Sequence, residues 1–387
     1  RWSNPADAVP TKRRWVPRRR SAVTGIVVRT ESVLDVPYSD ITNDLLRSSG
    51  ATALFVRTTT PVTADLLRGT HLRFVGTASA GFDHLDIAAL ESNGIRWAAA
   101  PGCNAHAVAE YVLYAILRSE PSLSGSWSST GIRTFMDSCT VGIIGYGNAG
   151  RAVARILQSL GLRILMNDPP ALAAGLLTEA EQAQHRTLEE IAEHCTIITN
   201  HVPLSTRGTY ATAFLLGEDF FRRVSPGTAV VHASRGGVVD ERALLDAIRT
   251  KDLRASVDVW DGEPWFSSSL AHEARWCTPH IAGHSIDAHH AAADMMLRAY
   301  GRFLGRRFDD VIAPPPGPLR RHPSSFDTID ELRESLAEAF DAERLQSGMR
   351  AIADVTDAER RAHFLSLRMS YTTRREIIST VDTAPCP

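Results

Sequence analysis

The stretch VGIIGYGNAG, residues 141–150, decides the fold. A short apolar run stops at Gly145, and the amphipathic RAVARILQSL follows at 151–160. Gly145, Gly147 and Gly150 carry the GxGxxG spacing where a strand hands over to a helix, the context that turns a common pattern into a dinucleotide fingerprint. Gly145 permits the tight turn, Gly147 lets backbone approach a pyrophosphate, and Gly150 lets the helix pack on the strand. The helix N-terminus then faces the negative charge. The next apolar run, LRILMND, ends at Asp168. A carboxylate there accepts from ribose hydroxyls and repels a 2′-phosphate, which favours NAD over NADP.

Working outward, TVGIIG, LRILMND, CTIITNHV, TAVVHAS, ASVDVW and RWCTPH read as strands, with helical stretches such as RAVARILQSL and DERALLDAIRT between them. Strands alternating with helices predict an α/β protein with a doubly wound parallel sheet. Upstream, ATALFVR and LRFVGTAS read as buried strands and NGIRWAAAPG as a turn and strand. AHAVAEYVLYAILRS has a helical period, and the Ser- and Gly-rich residues 120–138 look like a connection. Downstream come a helical AAADMMLRAYGRFLG, a proline-rich APPPGPLRRHP and a charged, helical segment over 326–375. In the expected organisation, 1–24 is a basic tail without assigned function, and 25–118 with 285–305 forms a substrate domain. Residues 119–284 form the NAD domain and 306–387 a C-terminal unit.

Bulk properties exclude several classes. The chain of 387 residues is too long for one core, and its 44% hydrophobic and 22% charged content is that of an ordinary soluble globular protein. A net charge of −2 gives no general pull towards nucleic acid or an anionic membrane. No apolar run is long enough to span a bilayer. Cys103, Cys139, Cys195, Cys277 and Cys386 form no CxxC pair and no metal-ligand spacing, so no metal is expected, and they read as free thiols in a reducing cytoplasm. Lys12 and Lys251 are the only lysines, and neither sits in a Schiff-base or P-loop context.

Three further strand ends carry polar residues: SRGGVVDE places Arg235, DVWDGEP places Asp258 and Glu263, and CTPHIAG places His280. In an open parallel sheet, ligands bind outside the carboxyl ends of the strands, so these side chains are expected to converge on one crevice. With the Asp168 unit, these motifs resemble the D-isomer-specific 2-hydroxyacid dehydrogenases over about residues 51–305. The resemblance implies a Rossmann NAD domain, a flavodoxin-like substrate domain and a catalytic set of Arg235, Glu263 and His280. Histidine titrates near working pH and suits the base that takes a hydroxyl proton. Glutamate would fix its tautomer, and arginine would grip a substrate carboxylate.

A narrower resemblance points to a branch of that family acting on a phosphorylated hydroxy acid. It is carried by VRTTTPVT, FVGTASAGFDHLD, GIRWAAAPGCNAHAVAEYV, NDPP and the tail FLSLRMSYTTRREI at 364–377. It implies a small C-terminal α+β dimerisation domain, hence a homodimer. It also implies NAD contacts at Gly145, Gly147, Asn148, Ala149, Gly150, Asp168, Val202, Ala233, Ser234, Arg235, Asp258 and Gly283, and substrate contacts at Thr58, Ser79 and His284. Arg57, at a strand end, either pairs a phosphate or closes a surface ion pair. His284 stands where the family usually has tyrosine, and Val202 where it has threonine. Residues 1–50 fit the family's first βα unit poorly, GIVVRT being the one convincing strand there. Competing readings are another 2-hydroxyacid dehydrogenase of the family and a non-catalytic NAD-binding regulator.

Overall fold

The computed structural model describes residues 24–28, 33–37, 40–120, 123–308, 314–351 and 355–379. Its contacts divide the chain into two compact units, Arg1–Asn104 with His289–Pro315 and Ala105–Ala288 with Pro316–Pro387.

The first unit carries β1 (Thr24–Val28), β2 (Val33–Pro37), β3 (Ala53–Val56), β4 (Phe74–Thr77) and β5 (Arg96–Ala98), in the order β2-β1-β3-β4-β5. The last three strands are parallel, as their intervening helices require. The edge differs from the all-parallel expectation. VLDVP at 33–37 is a strand that periodicity did not mark, and β1 runs antiparallel to both β2 and β3. So short a link between β1 and β2 cannot hold a crossover helix, which leaves antiparallel pairing as the option. Leu46, Leu54, Val56, Val75 and Leu90 fill one side of the unit's core. Elsewhere in the unit Phe55 and Phe74 pack on Tyr300 and Phe303.

The second unit is built on six parallel strands: β6 (Thr140–Ile144), β7 (Arg163–Asn167), β8 (Ile197–Asn200), β9 (Ala229–His232), β10 (Arg254–Val257) and β11 (Trp276–Cys277). All six fall where the sequence places them. Their order is β11-β10-β9-β8-β6-β7, and a single parallel bridge from His185 to Met166 extends the row beyond β7. With that bridge counted as a vestigial strand, the order is that of the doubly wound dinucleotide fold. The register is the feature that builds a site. Asn167, Ile144, Asn200, His232, Val257 and Cys277 are successive cross-strand partners, so all six strands end level. The residues that follow them, from Asp168 and Gly145 to Asp258 and Thr278, share one edge.

Two boundaries are corrected. Helix α1 (Ala105–Ser119), expected in the substrate domain, belongs to the second unit, because it packs along α2 (Asn148–Ser159) and is buried on almost every side. Such a helix is hydrophobic all round because it is core, not surface. The C-terminal residues, expected to stand apart as an α+β domain, join the same unit. After α3 (Ile286–Phe303) they form α4 (Ile329–Ala339), α5 (Ala342–Arg350) and α6 (Asp357–Ser370), with only single bridges among their described residues. Phe340 packs against Tyr111, Tyr114 and Trp276, and Phe364 against Phe266, so tail and NAD sheet share a hydrophobic core.

The end of the tail is pinned by charge. Arg374 pairs with Glu110 of α1, and both side chains are buried. The second Glu110 oxygen accepts from the N–H groups of Ile377 (2.7 Å) and Ile378 (2.6 Å). Burial pushes the Glu110 carboxyl up, yet Arg374 and the other donors outweigh it and hold it below its ordinary value. Glu376 accepts from Ser285 at 2.7 Å, and Asp287 pairs with Arg375. No helix among the described residues is long and apolar enough to cross a membrane, and Cys139, Cys195 and Cys277 are in no disulfide. Glu110→Ala leaves the buried Arg374 guanidinium without its counter-ion and two amide donors without their acceptor, so a loss of about 3–5 kcal/mol is expected in denaturant unfolding. A loss below about 1 kcal/mol would show that water enters and replaces the carboxylate.

Candidate active site

At the first strand end the glycines do what their spacing requires. Gly145 has φ 88°, and a Cβ there would come within 2.8 Å of His201 and Val202. A Cβ on Gly150 would overlap the Gly145 carbonyl, so the helix starts directly on the turn. Around Gly147 nothing lies within 4 Å of a built Cβ, and no side chain caps α2. Bare N–H groups at the start of a twelve-residue helix, facing open space beside exposed Asn148 and half-buried Ala149, suit a pyrophosphate. Asp168 closes the turn from the side. One carboxylate oxygen accepts from Tyr146 N–H (2.7 Å) and the other from Ala171 N–H (2.9 Å). Each oxygen keeps a lone pair for a ribose hydroxyl.

At the far strand ends, His280 and Glu263 meet. His280 Nδ1 lies 2.7 Å from Glu263 Oε2, and Glu263 Oε1 accepts from Trp260 N–H at 2.9 Å. Burial pushes the Glu263 carboxyl up, but the neighbouring His280 and these hydrogen bonds hold it below its ordinary value. The carboxylate therefore stays ionised and fixes the proton of His280 on Nδ1, which leaves Nε2 as the basic nitrogen. His280 itself has φ 57°, a left-handed conformation uncommon for a side chain of this kind. Two contacts hold it there. Its N–H donates to the Asp258 carbonyl at 2.7 Å, and the Asp258 carboxylate takes Thr278 Oγ1 (2.6 Å), Ile281 N–H (2.7 Å) and Ala282 N–H (2.9 Å).

Asp258 was expected at the cofactor, and its buried carboxylate takes three donors from the 278–282 turn. Tyr111 of α1 completes the set by bonding Thr278 Oγ1 at 2.7 Å, and Trp260 Nε1 donates to the Thr278 carbonyl. Neither Tyr111 nor Thr278 carried a signal in the sequence, because the contact joins residues far apart in the chain.

Arg235 follows β9, half-buried, with Nη1 donating to the Ser234 carbonyl at 2.8 Å. A Cβ on Gly236 would overlap the Trp260 carbonyl, so the SRGG turn must press against the DVWDGEP segment. Beneath the turn, Ser234 donates to Asn200 Oδ1, and the Asn200 amide meets His232 Nδ1 at 3.2 Å. Ala233 is buried, Val202 lies beside Gly145, and Gly283 and His284 are half-buried just after the 278–282 turn. Burial pushes both His201 and His232 down to about 3.

Within the first unit, Thr58 is exposed after β3, and Ser79 bonds Thr77 Oγ1 (2.6 Å) and the Gly81 carbonyl (2.8 Å). Arg57 Nη2 meets His289 Nε2 at 2.9 Å. Burial and the Arg57 charge push His289 down to about 3, so this partner is a neutral ring that leaves the guanidinium charge intact.

Comparison with known proteins agrees with this layout. Residues 119–282 match the family of the D-isomer specific 2-hydroxyacid dehydrogenase, NAD binding domain. Over 334 residues the chain is 36% identical to the erythronate-4-phosphate dehydrogenase of Pseudomonas savastanoi pv. phaseolicola, covering 85% of this chain and 84% of that one. It is 37% identical over 333 residues to that of Edwardsiella ictaluri, with 84% and 83% covered. The chain belongs to the erythronate-4-phosphate dehydrogenase family. Among solved structures, Rhodotorula graminis D-mandelate dehydrogenase superposes with a TM-score of 0.56 at 25% identity, covering 70% of this chain and 88% of that one. D-lactate dehydrogenase from Aquifex aeolicus, complexed with NAD and lactic acid, shares the fold at 20% identity and a TM-score of 0.56, with 69% and 86% covered. The enzyme is thus an NAD-dependent oxidoreductase, and the glycine turn with Asp168 has the donors and open space that NAD needs.

Glu241, just after the SRGGVVD turn, accepts from Asp261 N–H at 2.7 Å. Burial pushes its carboxyl up to about 7, with Asp261, Glu263 and Asp240 adding to the rise against one N–H bond from Asp261. An acid whose folded value is raised favours its protonated form, so the fold loses stability as pH climbs from the ordinary carboxylate range through about 7. Glu241→Gln keeps the acceptor and removes the charge. Its melting temperature is expected to exceed wild type by about 2–4 °C at pH 8 and to match it near pH 4. Equal melting curves at pH 8 would mean that the carboxylate is solvated.

Proposed function

We propose that the enzyme oxidises 4-phospho-D-erythronate to 2-oxo-3-hydroxy-4-phosphobutanoate, a step on a route to pyridoxal 5′-phosphate. The observation that carries the chemistry is the 2.7 Å pair of His280 Nδ1 and Glu263, which leaves Nε2 free to take a proton. The glycine turn and Asp168 would hold NAD, which would supply the hydride acceptor for carbon 2. His280 removes the proton of the 2-hydroxyl, and the ionised Glu263 stabilises the imidazolium that forms. Arg235 pairs with the substrate carboxylate and polarises the developing carbonyl.

On this reading Ala233, Ser234, Val202, Asp258 and Gly283 contribute to the cofactor's bed. For Asp258 the contribution runs through the turn that it ties. Thr58, Ser79 and His284 hydrogen-bond the carboxylate or phosphate. Arg57 pairs the phosphate, a role supported by its neutral His289 partner. The similarity to erythronate-4-phosphate dehydrogenases supports the choice of phosphoerythronate over other 2-hydroxy acids.

We further propose a cytoplasmic homodimer assembled through the tail, where Leu365 and Met369 lie one helical turn apart and exposed on α6. Sedimentation at micromolar concentration is expected to give twice the chain mass, and a monomer would refute the dimer.

Kinetics test the mechanism. NADH formation is expected from 4-phospho-D-erythronate but not from 3-phosphoglycerate or D-lactate. His280→Ala should lower kcat by about 10²–10⁴-fold with NAD affinity unchanged. Turnover within tenfold of wild type would remove His280 from the role of base. Preference for another acid would keep the mechanism and discard the substrate.

A further inference from the structure

Four arginines from separate segments of the second unit line one concavity of about 390 Å³. Arg118 stands near the end of α1, Arg275 just before β11, Arg333 on α4 and Arg350 at the end of α5, with Gln346 among them. The volume lies within the range of small-molecule sites.

Three of the four also brace the fold. Arg333 donates to the carbonyls of Leu117 (3.1 Å), Glu120 (3.3 Å) and Leu123, and pairs with Asp330. Arg350 donates to the carbonyls of Ala271 (3.2 Å) and Ala274 (2.6 Å). Arg118 bonds Tyr114 Oη (3.1 Å), Gln346 Oε1 (2.5 Å) and the exposed Glu343 (2.9 Å).

Arg275 is different. Its backbone is tied to Ala255 and Gln346, but its exposed guanidinium has no hydrogen bond or ion pair among the described residues. Among the described residues, the carboxylates on the four guanidiniums are Asp330 and Glu343. Nearby Glu273 is taken by Arg249, and Glu120 by Arg254. Four positive charges thus face two negative ones. A concave, single-sign cluster focuses potential and raises the local concentration of counter-ions. Guanidinium forks match phosphate oxygens in pairs, and Arg350 Nη1 and the whole of Arg275 are uncommitted. The size of the concavity selects a compact ligand over a polymer.

We propose that this cavity binds a small phosphorylated metabolite with at least two negative charges, at residues distinct from the glycine turn that takes NAD. The test is a calorimetric titration of the full chain, saturated with NAD, with inorganic pyrophosphate at constant ionic strength. Inorganic phosphate is run beside it. Arg275→Gln is the main variant because its side chain has no contact to lose, and Arg275→Glu reverses the charge. Saturable binding to wild type is expected, tenfold or more weaker in Arg275→Gln and abolished in Arg275→Glu. Equal affinity in the three proteins overturns the proposal. So does the lack of saturable binding to wild type, or a heat signal that sodium chloride reproduces. Binding that appears only without NAD would place the anion on the glycine turn and overturn it equally.

Discussion

The buried carboxylate of Asp258 is the constraint on which the candidate active site depends. It takes three hydrogen bonds from one short turn, and its own carbonyl takes the N–H of His280. Burial pushes its carboxyl up, and the nearby His280 and the three donors work against that rise. The turn in exchange is locked, and the left-handed backbone of His280 is sustained by neighbours that leave it no alternative. The Glu263–His280 pair inherits its geometry from that lock, since Trp260, which orients Glu263 through its N–H, also donates through its indole to Thr278.

The tail works on the same segment from the other side. Ser285 and Asp287, a few residues past His280, are the points where Glu376 and Arg375 attach. Glu110, next to Tyr111 on α1, fixes Arg374 and the N–H groups of Ile377 and Ile378. Helix α1 therefore connects both ends of the 278–287 segment: Tyr111 holds Thr278, and Glu110 holds the tail segment whose Glu376 takes Ser285. A tail that shares its core with Trp276 and Tyr114 cannot be cut away as a separate module without opening that core.

These relations set the limit of what was legible beforehand. The six strands of the NAD sheet and the placing of Arg235, Glu263 and His280 at strand ends follow from local apolar runs and glycine turns, which are short-range properties. The level ending of the strands makes those positions meaningful. The tail's attachment was illegible because it depends on one buried acid, Glu110, in the middle of an otherwise apolar helix. Its partner lies at Arg374, and no periodicity links residues so far apart. The antiparallel edge at Val33–Pro37 was missed for a related reason: a five-residue strand at an edge has too little pattern to stand out.

The histidines show how structure discriminates where composition cannot. Fourteen are present, and several lie close to strand ends. His201, His232 and His289 are pushed to about 3 by burial, which for His232 outweighs the opposing charge of Glu263. Such rings stay neutral throughout the working range and serve as fixed polar groups, His289 for Arg57 and His232 for Asn200. His106 does lie near a carboxylate, Glu110, at 3.6 Å, but its Nε2 is already bound to the Ile378 carbonyl in the tail's anchor. His280 differs from all of these. Its Nδ1 is held by an ionised glutamate, its backbone by Asp258, and it stands at the strand edge where the glycine turn also opens. A partner that welcomes the charged form and a place on the strand edge that carries the glycine turn set His280 apart from these other histidines.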